Sequence, residues 1–294
     1  MTRKNLIKLF KSVNSLAFPA RNESFFNATP LIPVHKKHSN GKSIHLKCDF
    51  LQPSGSFKSR GIGHMVHSLN RQKKVTSLVC SSGGNAGLAV ACAGCWTFSS
   101  FPNNCNSITL NLPLLFFSLG MKLGVPVKVF VPSTTKQMMI DKLEALGAVV
   151  TVAGSNWNAA DIVARNEASG LESLGGIYVP PFDHPLIWEG NSSLVHELLS
   201  AGMGDVDAIV LAVGGGGLLC GVQEGVEQLG WSQKTSIIAV ETQGAASFAA
   251  AQKMGYPVKL DKIDTIATSL GALAVTAQTL KVGSLLSVVL YTQH

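Results

Sequence analysis

Three short stretches of this chain hold side chains and backbone arranged as if for chemistry. Pro53-Ser54-Gly55-Ser56-Phe57-Lys58-Ser59-Arg60-Gly61 sets a lysine among hydroxyls, next to an aromatic ring. A lysine amine is a nucleophile and base once its surroundings lower its hold on a proton; in an open first helical turn it is only a solvated charge. Ser81-Ser82-Gly83-Gly84-Asn85-Ala86-Gly87 offers hydroxyls and amides at a helix entrance, a receptor for a carboxylate or an ordinary capped helix start. Gly214-Gly215-Gly216-Gly217 lets backbone N–H groups converge on an anion, aided by the helix that follows; the alternative is close packing of helix on sheet. No Gly-Lys-Ser/Thr follows, so this is not a Walker loop. It is not G-x-G-x-x-G either, although Glu241 follows the next strand where a ribose-binding acid could sit.

These loops need elements on both sides, and the patterning supplies them. Residues 44–48 alternate as a strand, and a Pro/Ser/Gly turn leads into a helix from near Ser56. A strand over 77–80 feeds the loop 81–87 and an Ala-rich helix over 88–93. Strands over 127–131, 149–152, 176–179, 208–213 and 236–240 are interleaved with helices over 136–146, 156–169, 186–199 and from the glycine loop to Leu229. Gly147 ends its helix as a left-handed glycine would. Strand, glycine loop and helix recur, which predicts parallel sheets with a site outside the carboxyl ends of the strands.

Composition removes several classes of function. With 294 residues the chain is long enough for one large or two small domains. Charged residues are 14% of it, against roughly 25% in an ordinary soluble chain, which excludes global disorder. The longest apolar run, 110–119, contains Asn111 and Pro113 and falls far short of the ~20 residues of a membrane span. The net charge of +7 is scattered; its densest group, Arg71, Lys73 and Lys74, lacks aromatic partners, so no nucleic-acid partner is expected. Cysteines at 48, 80, 92, 95, 105 and 220 include one C-x-x-C and no zinc set, and Cys80 and Cys220 sit in core-like surroundings. A reduced, intracellular setting follows, and the sequons at Asn22, Asn27 and Asn191 then mean nothing. Residues 1–24 form a basic extension with Leu6, Phe10, Val13 and Ala17 at helical spacing and no acid before Glu23. That is the pattern of a mitochondrial presequence or of an extension without function; the cytoplasm is the expected compartment and the mitochondrion the alternative.

Taken together, the motifs resemble those of a known family. From Ile44 to Lys281 the chain resembles the pyridoxal-phosphate enzymes of the tryptophan-synthase-β type, specifically the animal serine dehydratases. The resemblance rests on Pro53 to Lys58 with Arg60-Gly61-Ile62-Gly63-His64, on Ser81 to Gly87, on Pro180-Pro181-Phe182-Asp183 with Pro185-Leu186-Ile187-Trp188-Glu189-Gly190, and on Val213 to Gly221. It implies an α/β fold of two open, twisted, mainly parallel sheets flanked by helices, the type II fold of these enzymes. The large cofactor domain would comprise 25–70 and 180–281, and the small domain 71–179.

The resemblance also assigns roles. Lys58 would bond the aldehyde of pyridoxal phosphate and act as the catalytic base at Cα. Phe57 would lie on the pyridine ring, and Asn85 would meet its phenolic oxygen. The amides of Gly214, Gly215, Gly216, Gly217 and Leu218 would hold the phosphate, and Ser82, Asn85 and Ala86 the substrate carboxylate. Gly214, Glu241, Ala245, Ser247, Leu270 and Ala272 match a monovalent-cation site, for K+. The implied reaction is β-elimination of L-serine to pyruvate and ammonia, and of L-threonine to 2-oxobutanoate. The family implies a lyase of amino-acid catabolism feeding gluconeogenesis, a cytoplasmic homodimer acting on a small amino acid.

Two segments depart from the pattern. Residues 95–120 interrupt an otherwise continuous Ala-Cys-Ala-Gly-Met-Lys-Leu-Gly-Val-Pro, and 282–294 form a tail in place of further family sequence. Both are expected to derive from unspliced introns or gene-model errors. The late glycine-rich segment whose Ser or Cys meets the pyridine nitrogen has no counterpart here. Core loss on that scale gives the alternative expectation: a poorly soluble, inactive variant that still binds the cofactor.

Overall fold

A computed structural model describes residues 26–34, 42–94, 123–204, 206–285 and 288–293. The extension 1–24 and the segment 95–120 lie outside the described residues.

Strands β1 (Leu31–Val34) and β2 (Ile44–Lys47) form an antiparallel ribbon, with Ile32 opposite Leu46. The chain then alternates through α1 (Lys58–Gln72), β3 (Ser77–Cys80), α2 (Asn85–Gly94), β4 (Val127–Val131), α3 (Gln137–Ala145), β5 (Val149–Val152), α4 (Trp157–Leu171) and β6 (Gly176–Tyr178). Strands β3 to β6 make one parallel sheet in the order β5-β4-β3-β6. Its central strand β3, Ser-Leu-Val-Cys, is buried throughout, as a strand covered on both faces must be. Next come α5 (Pro185–Ser200), β7 (Ala208–Ala212), α6 (Gly217–Gln228), β8 (Ser236–Thr242), α7 (Ser247–Met254), α8 (Ala277–Gly283) and β9 (Val288–Gln293). Strands β7, β8 and β9 make a second parallel sheet in that order.

Two main hydrophobic cores match the two parallel sheets. One gathers Leu78, Val127, Val129 and Leu143 with Ile62, Met65 and Val66 of α1. The other gathers Leu219, Val222, Val226, Ile237 and Phe248 with Val195 of α5. Helices α1 and α5 cross between them at a point that tolerates no side chain. A Cβ on Gly61 would lie 2.6 Å from the Ile187 carbonyl oxygen, and one on Gly190 would lie 2.6 Å from that of Arg60. The element that carries Lys58 is thereby locked to the element that leads towards the glycine loop.

Element boundaries follow capping chemistry. Asn156 caps α4 by accepting from the Ala159 amide at 3.1 Å, and Gly147 ends the turn after α3 at φ 86°. Helix α2 starts at Asn85, earlier than the patterning indicates, which places Asn85 and Ala86 in its first turn. Strand β8 runs to Thr242, so Glu241 lies inside the strand; its last residues pair with Thr292 and Gln293 of β9. The patterning gave no sign of β1, α7, α8 or β9. Helix α8 continues across Lys281 and Val282, where the sequence reading set the start of the tail.

Candidate active site

The turn before α1 is held by its own hydroxyls. Ser59 Oγ accepts from the Ser54 amide at 3.1 Å and donates to Ser54 Oγ at 2.8 Å, which fixes the approach to Lys58. Lys58 Nζ then donates to the Pro181 carbonyl at 2.6 Å. The ring centres of Phe57 and Phe182 lie 5.3 and 5.6 Å from the amine. The side chain keeps some surface, but its amine is enclosed by protein and meets no carboxylate among the described residues. Burial pushes its pKa down from 10.5 to about 8. Such an amine is a usable base near neutral pH.

The glycine loop follows β7 and enters α6. A Cβ at Gly214 would approach the Leu270 carbonyl oxygen to 2.7 Å, one at Gly215 the Phe182 ring to 2.4 Å, and one at Gly217 the Phe182 carbonyl oxygen to 2.7 Å. Gly216 caps the helix at φ +92°, where a Cβ would meet Thr279 Oγ1 at 1.9 Å. The loop is therefore restricted to glycine by its neighbours, and at Gly216 by its backbone as well. Thr279 Oγ1 donates to the Gly215 carbonyl at 3.1 Å, and Asn191 Nδ2 to the Gly217 carbonyl at 2.9 Å. Two carbonyls are held from outside the loop, while the first amides of α6, from Gly217 and Leu218, have no acceptor within the helix. The arrangement fits a phosphate group.

Ser82, Asn85 and Ala86 form a third group at the carboxyl end of β3. Ser82 Oγ accepts from the Gly84 amide at 3.3 Å, and a Cβ on Gly87 would lie 1.9 Å from the Ser82 carbonyl oxygen, so the loop folds tightly onto α2. Asn85 is exposed in the first turn of the helix and Ala86 is buried. Phe182 connects the other two groups, touching the glycine loop and facing the Lys58 amine.

Glu241, 2% exposed, caps α7 through both oxygens, accepting from the amides of Phe248 and Ala249 at 2.8 Å each. Burial raises its pKa, and the two amides oppose that shift. Ser247 Oγ is buried there without a partner. A Cβ on Gly271 would lie 2.7 Å from that of Ala245, and one on Gly214 would lie 2.7 Å from the Leu270 carbonyl oxygen; Ser247 precedes Phe248, whose amide donates to Glu241, and Ala272 follows Gly271 directly. The unpartnered hydroxyl fits a hard cation taking oxygen ligands. No cluster of His, Cys, Asp or Glu that could hold a metal exists among the described residues.

Sequence reasoning missed Pro181, Phe182, Asn191 and Thr279 as parts of the site. Phe182 was visible only as a letter in a motif, although its place just past the end of β6 is where a parallel sheet puts its site. Thr279 lies far along the chain from the loop it supports, and no local pattern announces it. Cys48, Cys80 and Cys220 are buried thiols outside any disulfide, and Cys92 is partly buried, its Sγ donating to the Pro53 carbonyl at 3.6 Å. No helix among the described residues is long and apolar enough to cross a membrane.

Residues 23–95 and 117–286 match the family model described as "pyridoxal-phosphate dependent enzyme". A mouse L-serine dehydratase/L-threonine deaminase is 44% identical over 241 residues, 82% of this chain and 64% of that protein. A human serine dehydratase-like protein is 41% identical over 265 residues, 89% of this chain and 70% of its own length. The solved structure of a fungal L-serine ammonia-lyase from Rhizomucor miehei is similar with a TM-score of 0.73 at 32% identity, covering 92% of this chain and 76% of that one. The chain thus spans a little under two thirds of the mouse protein's length.

Proposed function

The chain belongs to the pyridoxal-phosphate dependent enzymes, and from that membership we propose that it is an L-serine ammonia-lyase, converting L-serine to pyruvate and ammonia and L-threonine to 2-oxobutanoate. One observation carries the reading: a buried amine, Lys58, that meets no counter-charge among the described residues and faces the Phe182 ring, whose other contact is a loop in which no side chain fits. When bound, pyridoxal phosphate supplies a sink for the electron pair left at the substrate Cα.

The residues divide the remaining work. The amides of Gly214, Gly215, Gly216, Gly217 and Leu218 hold the phosphate, Phe57 covers the ring and Asn85 bonds its phenolic oxygen. Ser82, Asn85 and Ala86 take the substrate carboxylate and so fix which Cα bond faces Lys58. Lys58 takes the Cα proton, its pKa of about 8 leaving a useful neutral fraction near neutral pH. The β-hydroxyl and one proton, the equivalent of that taken from Cα, leave as one water, and one water returns in the hydrolysis that frees ammonia, so the conversion needs no oxidant or reductant.

The finer assignments rest on the family likeness. They are a homodimer in the cytoplasm, a role in amino-acid breakdown towards gluconeogenesis, and K+ held by Gly214, Glu241, Ala245, Ser247, Leu270 and Ala272. The deciding experiment is serine-dependent pyruvate release by the full chain with added cofactor, beside Lys58→Ala. Release that stops in the variant supports the reading. Absence of release from a chain that has taken up the cofactor, or an undiminished rate in Lys58→Ala, overturns it.

A further inference from the structure

A second polar cluster, outside the groups just described, lies under the carboxyl edge of the first sheet. Asp161, in the second turn of α4, is buried. Its Oδ1 accepts from Ser81 Oγ at 2.6 Å and from the Tyr178 hydroxyl, and its Oδ2 accepts from Arg165 Nε at 2.8 Å. Ser81 Oγ and the Tyr178 hydroxyl are 3.1 Å apart, and the Arg165 guanidinium lies 4.2 Å over the Tyr178 ring. A buried carboxylate is costly unless it is fully bonded, and this one is bonded at both oxygens.

The two hydroxyl donors stand at informative places. Ser81 is the first residue past β3 and precedes Ser82, where the substrate-carboxylate loop begins. Tyr178 ends β6 and precedes Val179-Pro180-Pro181, whose last carbonyl takes the hydrogen bond from Lys58. Strands β3 and β6 are direct neighbours, with Val79 paired to Tyr178. One carboxylate therefore bonds the last fixed residue before each of two segments of the site. The glycine loop hangs from the other sheet and receives no bond from this cluster.

We infer that Asp161, acting through Ser81 and Tyr178, is a positioning residue that sets the spacing between the loop 82–87 and the wall 179–182 facing Lys58. Its loss weakens substrate binding and leaves the phosphate cradle intact. This rests on the ammonia-lyase reading for the identity of the substrate, but the coupling of the two segments does not.

The test uses the full chain with pyridoxal phosphate bound, comparing Asp161→Asn, Ser81→Ala and Tyr178→Phe with the parent. Hydrogen exchange is expected to rise in 82–87 and at Val179 and Phe182, the two residues of 179–182 that carry an amide hydrogen, for Asp161→Asn, and to stay unchanged in 214–221. Ser81→Ala should loosen 82–87 alone, and Tyr178→Phe 179–182 alone. The serine KM should rise about tenfold in Asp161→Asn, while the cofactor dissociation constant stays within about twofold. Unchanged exchange in both segments overturns the inference, as does a cofactor affinity that falls as far as the KM rises. A parent chain inert towards serine sinks the ammonia-lyase reading and leaves the exchange comparison to decide the positioning role. If Asp161→Asn does not fold, the two hydroxyl variants, which keep the Asp161–Arg165 pair, decide it: exchange unmoved in its own segment by each overturns it.

Discussion

Lys58 and Arg60 stand on either side of Ser59 at the start of α1, yet their surroundings treat the two cations in opposite ways. Lys58 meets one carbonyl and two aromatic rings, and burial lowers its pKa to about 8. Arg60, with no exposed surface, is also penalised by burial. Here two carboxylates outweigh the penalty: Asp49 accepts from Nε at 2.7 Å and Nη2 at 2.8 Å, and Glu197 from Nη1 at 2.5 Å and Nη2 at 2.9 Å. The result is an upward shift. Residues two apart on a helix point to nearly opposite faces, so a single turn can present one cation to the site and the other to the scaffold. The difference teaches which charge is for chemistry. The fold neutralises the cation that ties the segment after β2 to α1 and α5, and leaves uncompensated the one that must give up its proton.

The comparison breaks most visibly at Lys58. Lys58→Ala should lower serine-dependent pyruvate formation by about a thousandfold or more, since one amine both carries the cofactor and removes the proton. Its melting temperature in the cofactor-free chain should stay level or rise, because an unpaired buried charge has been removed. Steady-state kinetics and a thermal melt check the two halves. A clear loss of stability would mean that Lys58 serves the scaffold as well.

Arg60→Met is expected to do the reverse. It takes the guanidinium from Asp49 and Glu197 but leaves Glu197 its pair with Lys47 and Asp49 its bond from the Thr29 hydroxyl. The cost in unfolding free energy therefore falls at the lower end of the about 3–5 kcal/mol of a broken buried pair. Denaturant titration reads this directly. Asp49→Asn should cost less, about 1.5–3 kcal/mol, since the amide keeps part of the bonding and Glu197 stays in place. Arg60→Lys should fall nearer to Arg60→Met than charge alone suggests, because an ammonium cannot meet both carboxylates with a planar fork.

The contrast also marks how far the sequence could be read. Lys58 and Gly214 to Gly217 were legible because their signals are local: a lysine in a turn of hydroxyls, and glycines between a strand and a helix. What burial does to Lys58, and the pairing of Arg60 with Asp49 and Glu197, were not legible. Those facts depend on α5 crossing α1 at Gly61, a tertiary event. Most strands of the two parallel sheets were legible from short apolar runs. Strand β1, with Pro33 inside a four-residue run, carried almost no period, and β9 follows Leu285 without a turn signal that would set it apart. Glu241 was expected just past a strand and lies within one, because the pairing with β9 extends β8 to Thr242. Asp161 has no signal of its own within the helix expected over 156–169, since nothing in its neighbourhood of sequence points to Ser81 or Tyr178.

A pH dependence is the last expected effect, and its sign separates the two cations once more. In the cofactor-free chain Lys58 has a folded-state pKa of about 8 against 10.5 for an ordinary lysine. Below pH 8 it is protonated in both the folded and unfolded states, and the cost of burying its charge is fully present. Between about 8 and 10.5 the unfolded chain binds more protons than the folded one, so unfolding free energy rises with pH across that window and levels above it. Other groups titrate in the same range, so the measurement is a difference: denaturant stability of the parent minus that of Lys58→Met, taken at pH 7 and at pH 10. The methionine variant should hold its advantage at pH 7 and lose it by pH 10, because the parent's amine has by then become neutral. Arg60 gives no such slope, since its two carboxylates keep it charged throughout. A difference that stays flat across the window would mean that water or an unrecognised counter-charge reaches the Lys58 amine, and the division of labour between the two cations would have to be redrawn.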